Sequence, residues 1–185
     1  MKLFKIVLVG LLAVTSIYAM TNETVTLKGA KVTLTGNQIS VGDKAPSVKL
    51  ITSDLKEIIV GGKTEKTQVL LVVPSIDTPV CDMEARTFNS KAAKMTNVQV
   101  TVISMDLPFA GSRYCAAHGI KNITIASDFQ TKEFGKTYGT LIDSSILKGI
   151  EVRVIFIIKD GKVTYKQLVP EISHAPDYEA VLKAI

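Results

Sequence analysis

Cys81 is the side chain best placed for chemistry in this sequence. It follows an apolar run, Val69 to Val73, which ends at Pro74 and is predicted to be a strand buried on both faces. Thr78 and Pro79 are typical of a helix start, so Cys81 would lie in the first turn of a helix, at the carboxyl end of a central strand. Unpaired backbone N–H groups at that position stabilise a thiolate, which is the nucleophilic form of cysteine.

Two observations weigh against a reactive Cys81. A cysteine at such a position is about as often a small buried apolar side chain. Asp82 and Glu84 also bring negative charge close to the sulfur, and negative charge opposes the thiolate. An active site therefore requires a cation, for which Arg86 is a weak candidate because it lies five residues after Cys81 and not directly beneath it on a helix.

Longer motifs around the two cysteines resemble those of a known family. PSIDTPVC, from Pro74 to Cys81, matches the P-x-x-x-T-x-x-C active-site motif of peroxiredoxins. PSIDT-x-VC followed by R-x-FN is similar to the bacterial thiol peroxidase branch. ISMDLPFAGSRYC, from Ile103 to Cys115, resembles the second motif of that branch, ISADLPFAQ-x-RFC, which carries its resolving cysteine. The similarity extends over roughly Glu23 to Ile185, nearly the whole chain.

The resemblance implies a role for each candidate residue. Cys81 would be the peroxidatic nucleophile and Cys115 the resolving thiol, joined during turnover by a Cys81–Cys115 disulfide within one chain, the arrangement called atypical 2-Cys. Thr78 would hydrogen-bond the peroxide, and Pro74 would shield the thiolate from water. Arg153 matches the family's distant active-site arginine and would supply the required positive charge. Without the resemblance, an arginine whose stem covers a sheet edge is equally consistent with this position.

Other interpretations of the cysteines remain open. Two cysteines in an exported chain commonly form a structural disulfide, so the main alternative is a binding or scaffold protein with a permanent Cys81–Cys115 bond. A disulfide-exchange protein is disfavoured because C-x-x-C is absent. Cys115 and His118 have a C-x-x-H spacing that zinc could use, but a four-ligand site would have to consume the proposed nucleophile. We therefore expect no metal and no other cofactor.

The resemblance also implies substrates and partners. Thiol peroxidases of this type favour alkyl and lipid hydroperoxides, use thioredoxin as reductant and tend to pair as homodimers, to which Phe109 could contribute. The formal net charge of +5 falls by two to +3 if Lys2 and Lys5 are removed with a signal peptide. The remaining basic residues are scattered among acids, which indicates a solvated surface and not a nucleic-acid partner.

The first nineteen residues have the layout of a secretory signal peptide. Lys2 and Lys5 form a basic start, Ile6 to Val14 is a short apolar core, and cleavage is expected after Ala19. The mature chain, residues 20–185, would then be periplasmic, would use a periplasmic thioredoxin-like reductant and would have no stable membrane association. An uncleaved anchor helix is the alternative, and translation from Met20 would leave the protein in the cytoplasm.

The order of predicted elements, taken with the resemblance, implies one α/β domain with a thioredoxin-like fold. A central mixed sheet would be flanked by helices and extended by an N-terminal β-hairpin. Besides the strand and helix around Cys81, the predicted elements are a hairpin over Thr24–Lys28 and Lys31–Thr35, an extended pair at Val48–Ile51 and Glu57–Val60, a strand at Val98–Ser104, a helix from Pro108 to Ala117 ended by Gly119, a helix at Asp128–Tyr138, strands at Val152–Ile158 and Val163–Leu168 joined by an Asp-Gly turn, and a final helix from Pro176.

Overall fold

The computed structural model of the protein describes residues 24–185, so the predicted signal peptide lies outside the described residues. In chain order the elements are β1 (Val25–Leu27), β2 (Ala30–Val32), β3 (Leu34–Thr35), β4 (Val48–Thr52), β5 (Glu57–Val60), β6 (Thr67–Val72), α1 (Pro79–Ala92), β7 (Val98–Ser104), α2 (Pro108–His118), β8 (Thr124–Ser127), α3 (Glu133–Tyr138), β9 (Leu141–Ile142), β10 (Val154–Lys159), β11 (Lys162–Leu168) and α4 (Tyr178–Ala184). Within this range, none of the helices has the length and apolar character needed to cross a membrane.

The main sheet has seven strands in the order β11-β10-β6-β7-β8-β4-β5. Strands β6, β7 and β8 are parallel, whereas β10 and β4 run antiparallel to their neighbours β6 and β8. The predicted thioredoxin-like fold, with its central mixed sheet, is therefore confirmed. The parallel strands direct their carboxyl ends to one edge, and that is where open α/β sheets place their functional sites.

Alternate residues of β6 enter two separate apolar clusters, one on each face of the sheet. Val69 and Leu71 pack in the cluster that contains side chains of α1, α2 and α4. Leu70 and Val72 pack in the cluster that contains side chains of β1, β2 and α3. Each such side chain contributes about 1.5–3 kcal/mol when it is fully buried. The unbroken apolar run of this strand is thus explained by burial on both faces.

The N-terminal hairpin is confirmed in its first half. Strands β1 and β2 pair antiparallel around Lys28 and Gly29, which both have positive φ, of 52° and 80°. Leu34 and Thr35 were predicted to continue the hairpin, but they pair with β9 as the separate strand β3. The hairpin ends at Val32, which is buried in the core, because Leu34 and Thr35 take Ile142 and Leu141 as their partners instead.

The predicted helix at Asp128–Tyr138 is wrong in its first half. The chain forms strand β8 up to Ser127, and α3 begins only at Glu133. The Asp128 carboxylate accepts hydrogen bonds from the backbone N–H groups of Phe134 and Gly135 at 3.1 and 3.0 Å. It therefore pairs N–H groups in the first turn of α3, although Asp128 lies five residues before that helix begins. Lys132 has a φ of 54°, which interrupts helical geometry just before α3.

The last three elements, β10, β11 and α4, are confirmed with shifted boundaries. Strand β10 begins at Val154, so Arg153 lies just before the strand and not within it. The turn into β11 has positive φ at Asp160 and Gly161, 51° and 76°, as the Asp-Gly pair predicts. Helix α4 begins at Tyr178 and not at Pro176, because Asp177 is the residue that caps it, accepting from the Ala180 N–H at 3.0 Å.

Candidate active site

Cys81 is the third residue of α1, and its side chain is fully buried at the carboxyl end of β6. Thr78 stands at the N-cap position with extended backbone angles, but its side chain does not cap the helix. Its Oγ1 lies 2.9 Å from Cys81 Sγ and 3.0 Å from the Ser75 carbonyl oxygen, so the single hydroxyl proton can be donated to either acceptor. The hydroxyl predicted to cap the helix thus faces the Cys81 sulfur.

Arg153 brings a positive charge to the same sulfur. Its Nη2 lies 3.3 Å from Cys81 Sγ, its Nη1 lies 2.8 Å from Glu84 Oε2, and its Nε donates to the Ile172 carbonyl oxygen at 3.2 Å. The side chain is 2% exposed, so the guanidinium does not reach water. Three fixed partners hold the guanidinium plane against the sulfur, and a thiolate there would accept charge-assisted hydrogen bonds.

Glu84 is a site residue that the sequence did not reveal as such. Burial raises the pKa of its carboxyl to about 7, and Arg153 acts in the opposite direction. Burial alone would lower the pKa of Arg153, but attraction to Cys81 and Glu84 outweighs it and raises that pKa. Arg153 therefore stays charged, and Glu84, expected to oppose the thiolate, instead fixes the cation that favours it.

Asp82, the other unfavourable charge near Cys81, is also compensated. Its Oδ2 forms an ion pair with Arg86 Nη2 at 2.9 Å, on the half-exposed side of α1. Arg86 therefore binds its own helix neighbour at position i−4, and the weak candidate for the active-site cation is occupied elsewhere. Asp82 Oδ1 accepts from the Tyr114 hydroxyl of α2 at 2.9 Å.

Cys115 lies on α2, half-buried, with its Sγ 3.9 Å from Ser53 Oγ. Burial raises the pKa of the Cys115 thiol, which favours the protonated form. Both cysteines are free thiols in this structure. They belong to the same apolar cluster, but their sulfurs contact different residues. The predicted Cys81–Cys115 disulfide is therefore absent from this state and stays a prediction for another one.

The loop between β6 and α1 is fixed by a residue that the sequence analysis missed. Asp106 accepts hydrogen bonds from Ser75 Oγ at 2.8 Å, from the Ile76 N–H at 2.8 Å and from Ser104 Oγ at 2.7 Å. Asp106 follows β7, which runs parallel to β6, so both strands deliver their next residues to the same edge. A carboxylate two residues after the predicted strand Val98–Ser104 was the signal that could have identified it.

An open groove of about 370 Å³ borders the site on the solvent side. It is lined by Ile76, Asp77, Thr78, Pro79, Asp82, Tyr114 and His118. Thr78 is common to the groove and to the sulfur's surroundings, so a molecule in the groove lies close to Cys81. Pro74 is a buried residue of the loop between β6 and α1, and its role of shielding the sulfur stays a prediction.

His118, considered with Cys115 for a C-x-x-H zinc site, has other contacts. Its ring lies 4.6 Å from the Tyr114 ring, and its Nδ1 lies 3.6 Å from Asp82 Oδ1. In the part of the chain that the structure describes, no cluster of three or more His, Cys, Asp or Glu side chains is arranged to hold a metal ion. What the site does contain is a buried sulfur, a hydroxyl and a guanidinium.

Comparison with known proteins gives the family. The sequence profile of the family described as Redoxin matches residues 40–182, well over half of the chain. The chain belongs to the redoxin family.

Similarity to individual redoxins indicates the type of redoxin to which this chain belongs. The thiol peroxidase of Aquifex aeolicus is 52% identical over 164 residues, which is 88% of this chain and 96% of that protein. The thiol peroxidase of Campylobacter jejuni is 52% identical over 153 residues, covering 83% and 87% of the two chains. The crystal structure of a peroxiredoxin-like protein from Aquifex aeolicus matches with a TM-score of 0.84 at 51% identity, over 87% of this chain and 94% of that one. This redoxin is a peroxiredoxin-type thiol peroxidase, as its motifs predicted.

Proposed function

We propose that this redoxin reduces hydrogen peroxide and organic hydroperoxides, both alkyl and lipid, in antioxidant defence, with the Cys81 sulfur as nucleophile. The observation that carries the proposal is a fully buried sulfur that still has two donors, the Thr78 hydroxyl at 2.9 Å and the Arg153 guanidinium at 3.3 Å. A structural cysteine needs neither donor. A sulfur that must attack as a thiolate needs both.

In the first step, the Cys81 thiolate attacks the terminal peroxide oxygen. An S–O bond forms and the O–O bond breaks, so the sulfur is oxidised by two electrons and the leaving oxygen takes up a proton to become water or an alcohol. The product is a sulfenic acid on Cys81. Thr78 and Arg153 hold the two oxygens in line with the sulfur and stabilise the negative charge that develops on the leaving oxygen.

In the second step, Cys115 condenses with the sulfenic acid, water leaves, and a Cys81–Cys115 disulfide forms within one chain. Both sulfurs lie on helices and have different partners, Arg153 and Ser53. A disulfide requires Cα atoms within about 7 Å, so we expect turns around one or both cysteines to unwind. Crystals of the reduced and oxidised protein with the same backbone at both sites would contradict this step.

Recycling requires an external dithiol. We propose a thioredoxin-type reductant, which in an exported protein would be a periplasmic thioredoxin-like protein. Periplasmic localisation rests on the signal-peptide pattern of residues 1–19. Cleavage after Ala19 and translation from Met20 both give a chain that begins at Met20, so cell fractionation combined with N-terminal sequencing tests export. A chain recovered from the cytoplasmic fraction, beginning at Met20 or Thr21, would contradict it.

We also propose a homodimer that uses the start of α2. Leu107 and Phe109 are 51% and 59% exposed there, which is unusual for two large apolar side chains so close together. Sedimentation of the wild-type protein and of the Phe109→Asp variant tests the dimer. A monomeric wild type contradicts it.

Thiol titration combined with mass spectrometry tests the chemistry. After mild reduction, cumene hydroperoxide should remove both thiols of the wild type, and the chain should lose two hydrogens. Cys115→Ser should accumulate a sulfenic acid that dimedone traps on Cys81, whereas Cys81→Ser should consume no hydroperoxide. A wild type whose disulfide resists mild reduction and which leaves the hydroperoxide intact is a scaffold protein, and the proposal fails.

A further inference from the structure

The chain neighbours of the two cysteines are hydrogen-bonded to each other. Asp82 follows Cys81 on α1, and Tyr114 precedes Cys115 on α2. The Tyr114 hydroxyl lies 2.9 Å from Asp82 Oδ1 and 3.2 Å from the Asp82 carbonyl oxygen. This polar contact directly connects the two cysteine-bearing helices, and we call it the Asp82–Tyr114 latch.

Both ends of the latch are held in place. Tyr114 is 6% exposed and packs in the same apolar cluster as Cys81. Its ring stacks against His118 one helical turn later, with 4.6 Å between the ring centroids. The Asp82 carboxylate is fixed from its own helix by Arg86 at 2.9 Å. A phenol that donates to a carboxylate forms a stronger hydrogen bond than two neutral groups do, so the latch is a firm contact.

The latch holds α1 and α2 in the arrangement in which the two cysteine sulfurs have separate partners. To form a disulfide, the Cys81 sulfur must leave Thr78 and Arg153, and the Cys115 sulfur must leave Ser53. Unwinding the first turn of α1, or the middle of α2, displaces a chain neighbour of one cysteine. The latch must therefore open before the sulfurs can meet.

We propose that the Asp82–Tyr114 latch sets the rate at which oxidised Cys81 reaches Cys115, with Tyr114 as a positioning residue. The proposal rests on the proposed function. When the latch opens, the Cys115 thiol loses its proton and attacks the Cys81 sulfenic sulfur. The S–S bond forms, the S–O bond breaks, and the hydroxide leaves as water with that proton.

While the latch stays closed, the sulfenic acid persists and a second hydroperoxide can reach it. That hydroperoxide transfers an oxygen to the sulfur, which becomes a sulfinic acid, and is itself reduced to an alcohol or water. A closed latch therefore slows disulfide formation and makes Cys81 more sensitive to oxidation by excess hydroperoxide. The motif that this segment resembles, RFC, has phenylalanine where RYC has Tyr114, so a ring without the hydroxyl fits the same place.

Tyr114→Phe tests the latch, with the steps followed by rapid quench and mass spectrometry under cumene hydroperoxide. Sulfenic acid formation should keep its wild-type rate because Thr78 and Arg153 are untouched and phenylalanine retains the ring that lines the groove. Disulfide formation should accelerate about tenfold, the lower range for loss of a hydrogen bond to a charged group. The sulfinic fraction at excess hydroperoxide should fall. Asp82→Asn retains an acceptor and should accelerate the step less than Asp82→Ala.

Tyr138→Phe is the matched control. Tyr138 is also buried, 1% exposed against 6% for Tyr114, and its hydroxyl donates to the Pro46 carbonyl oxygen at 2.7 Å on the opposite face of the sheet. This variant should leave both rates unchanged. A Tyr114→Phe protein that forms its disulfide no faster than wild type, or that forms sulfenic acid more slowly, overturns the latch. A wild type that forms neither sulfenic acid nor disulfide contradicts the proposed function itself.

Discussion

Two glutamates are completely buried on opposite faces of the main sheet, Glu84 among the side chains near Cys81 and Glu151 against α3. Among residues 24–185 no donor reaches Oε1 of either carboxyl group. They therefore share a residue type, a degree of burial and an incomplete set of hydrogen bonds. They differ in the charge that faces them.

Glu84 faces a cation. Its Oε2 lies 2.8 Å from Arg153 Nη1, and its pKa, raised to about 7 by burial, is held down by that guanidinium. A buried ion pair of this kind adds little net stability, because desolvation offsets the attraction. Its value lies in orientation: the carboxylate fixes the plane of Arg153 while another nitrogen of the same group contacts Cys81.

Glu151 faces a hydroxyl and another carboxylate. Thr140 donates to its Oε2, and Asp128 lies beside it. Burial is the main cause that raises the pKa of Glu151 to about 8; Asp128 acts in the same direction, whereas Thr140 and the charge of Lys132 oppose the shift. A Cβ added to Gly135 would lie 2.7 Å from Glu151 Oε1, which explains the glycine in α3. Glu84 is thus paired directly with Arg153, which contacts Cys81, whereas Glu151 has only the weaker effect of Lys132 and packs against α3 with the higher pKa.

Removal of Arg153 should have the largest effect. We expect Arg153→Met to slow oxidation of Cys81 by hydroperoxide about 100-fold or more, because the site loses its positive charge and one of the two donors to the sulfur. Arg153→Lys retains the charge without the planar set of donors and should recover part of the rate. The rate of sulfenic acid formation by rapid quench measures both, and circular dichroism checks that the variants are folded.

Arg86→Met is the control for that experiment. Arg86 is half-exposed and paired with Asp82, so its loss should change Cys81 oxidation by no more than about threefold. Equal losses in Arg86→Met and Arg153→Met would show that the assay responds to general positive charge. The orientation of Arg153 by Glu84 would then not explain the loss of rate.

A second, smaller contrast concerns two threonine hydroxyls, that of Thr78 beside Cys81 and that of Thr140 beside Glu151. Thr78→Val removes the donor 2.9 Å from Cys81 Sγ, and we expect Cys81 oxidation to slow by about 10- to 100-fold, with recovery in Thr78→Ser. Thr140→Val removes the donor to Glu151, so it should leave that rate unchanged. It should lower the free energy of unfolding by about 1–3 kcal/mol, since a buried acceptor loses its partner.

Peroxide kinetics and urea unfolding of the same two proteins measure this contrast. If Thr140→Val slowed peroxide reduction as much as Thr78→Val, the face that carries α3 would take part in the chemistry. If neither variant lost activity, the short contact between Thr78 and the sulfur would be structural only.

The features that the sequence predicted correctly are those with local signals. The run from Val69 to Val73, the positive φ at Gly119 and the turn at Asp160–Gly161 each depend on neighbouring residues, and each was confirmed. Cys81 at the start of a helix belongs with them. Strand β8 was missed because it has four residues and runs into Asp128, whose side chain caps a helix that begins five residues later.

The features that were missed depend on contacts between distant residues. Glu84 and Arg153 are 69 positions apart, and nothing near either residue indicates the pairing. Asp82 and Glu84 were therefore interpreted as charges that oppose the thiolate. In the folded chain each is paired with an arginine, and Glu84 holds Arg153, the proposed active-site cation. Tyr114 was likewise missed because its partner, Asp82, lies 32 residues before it.

Glu151→Gln should have the smallest effect, a change in the pH dependence of stability. Glu151 has an ordinary pKa of 4.5 when unfolded and about 8 when folded, so the folded chain binds the extra proton between these values. Its contribution to stability is complete below about pH 4.5 and is lost as the pH rises through about 8, at roughly 1 kcal/mol per pH unit.

The pKa of Glu84 is also raised in the folded chain, so its contribution to stability is lost in the same direction, as the pH rises through about 7. Between about pH 7 and 8 the remaining decline should come from Glu151, and urea unfolding under reducing conditions can measure it. Glutamine imitates the protonated carboxyl group, so Glu151→Gln should flatten this part of the curve, whereas the exposed Glu65→Gln should not. An unchanged slope in Glu151→Gln would mean that Glu151 is ionised when folded, and the distinction between the two buried glutamates would fail.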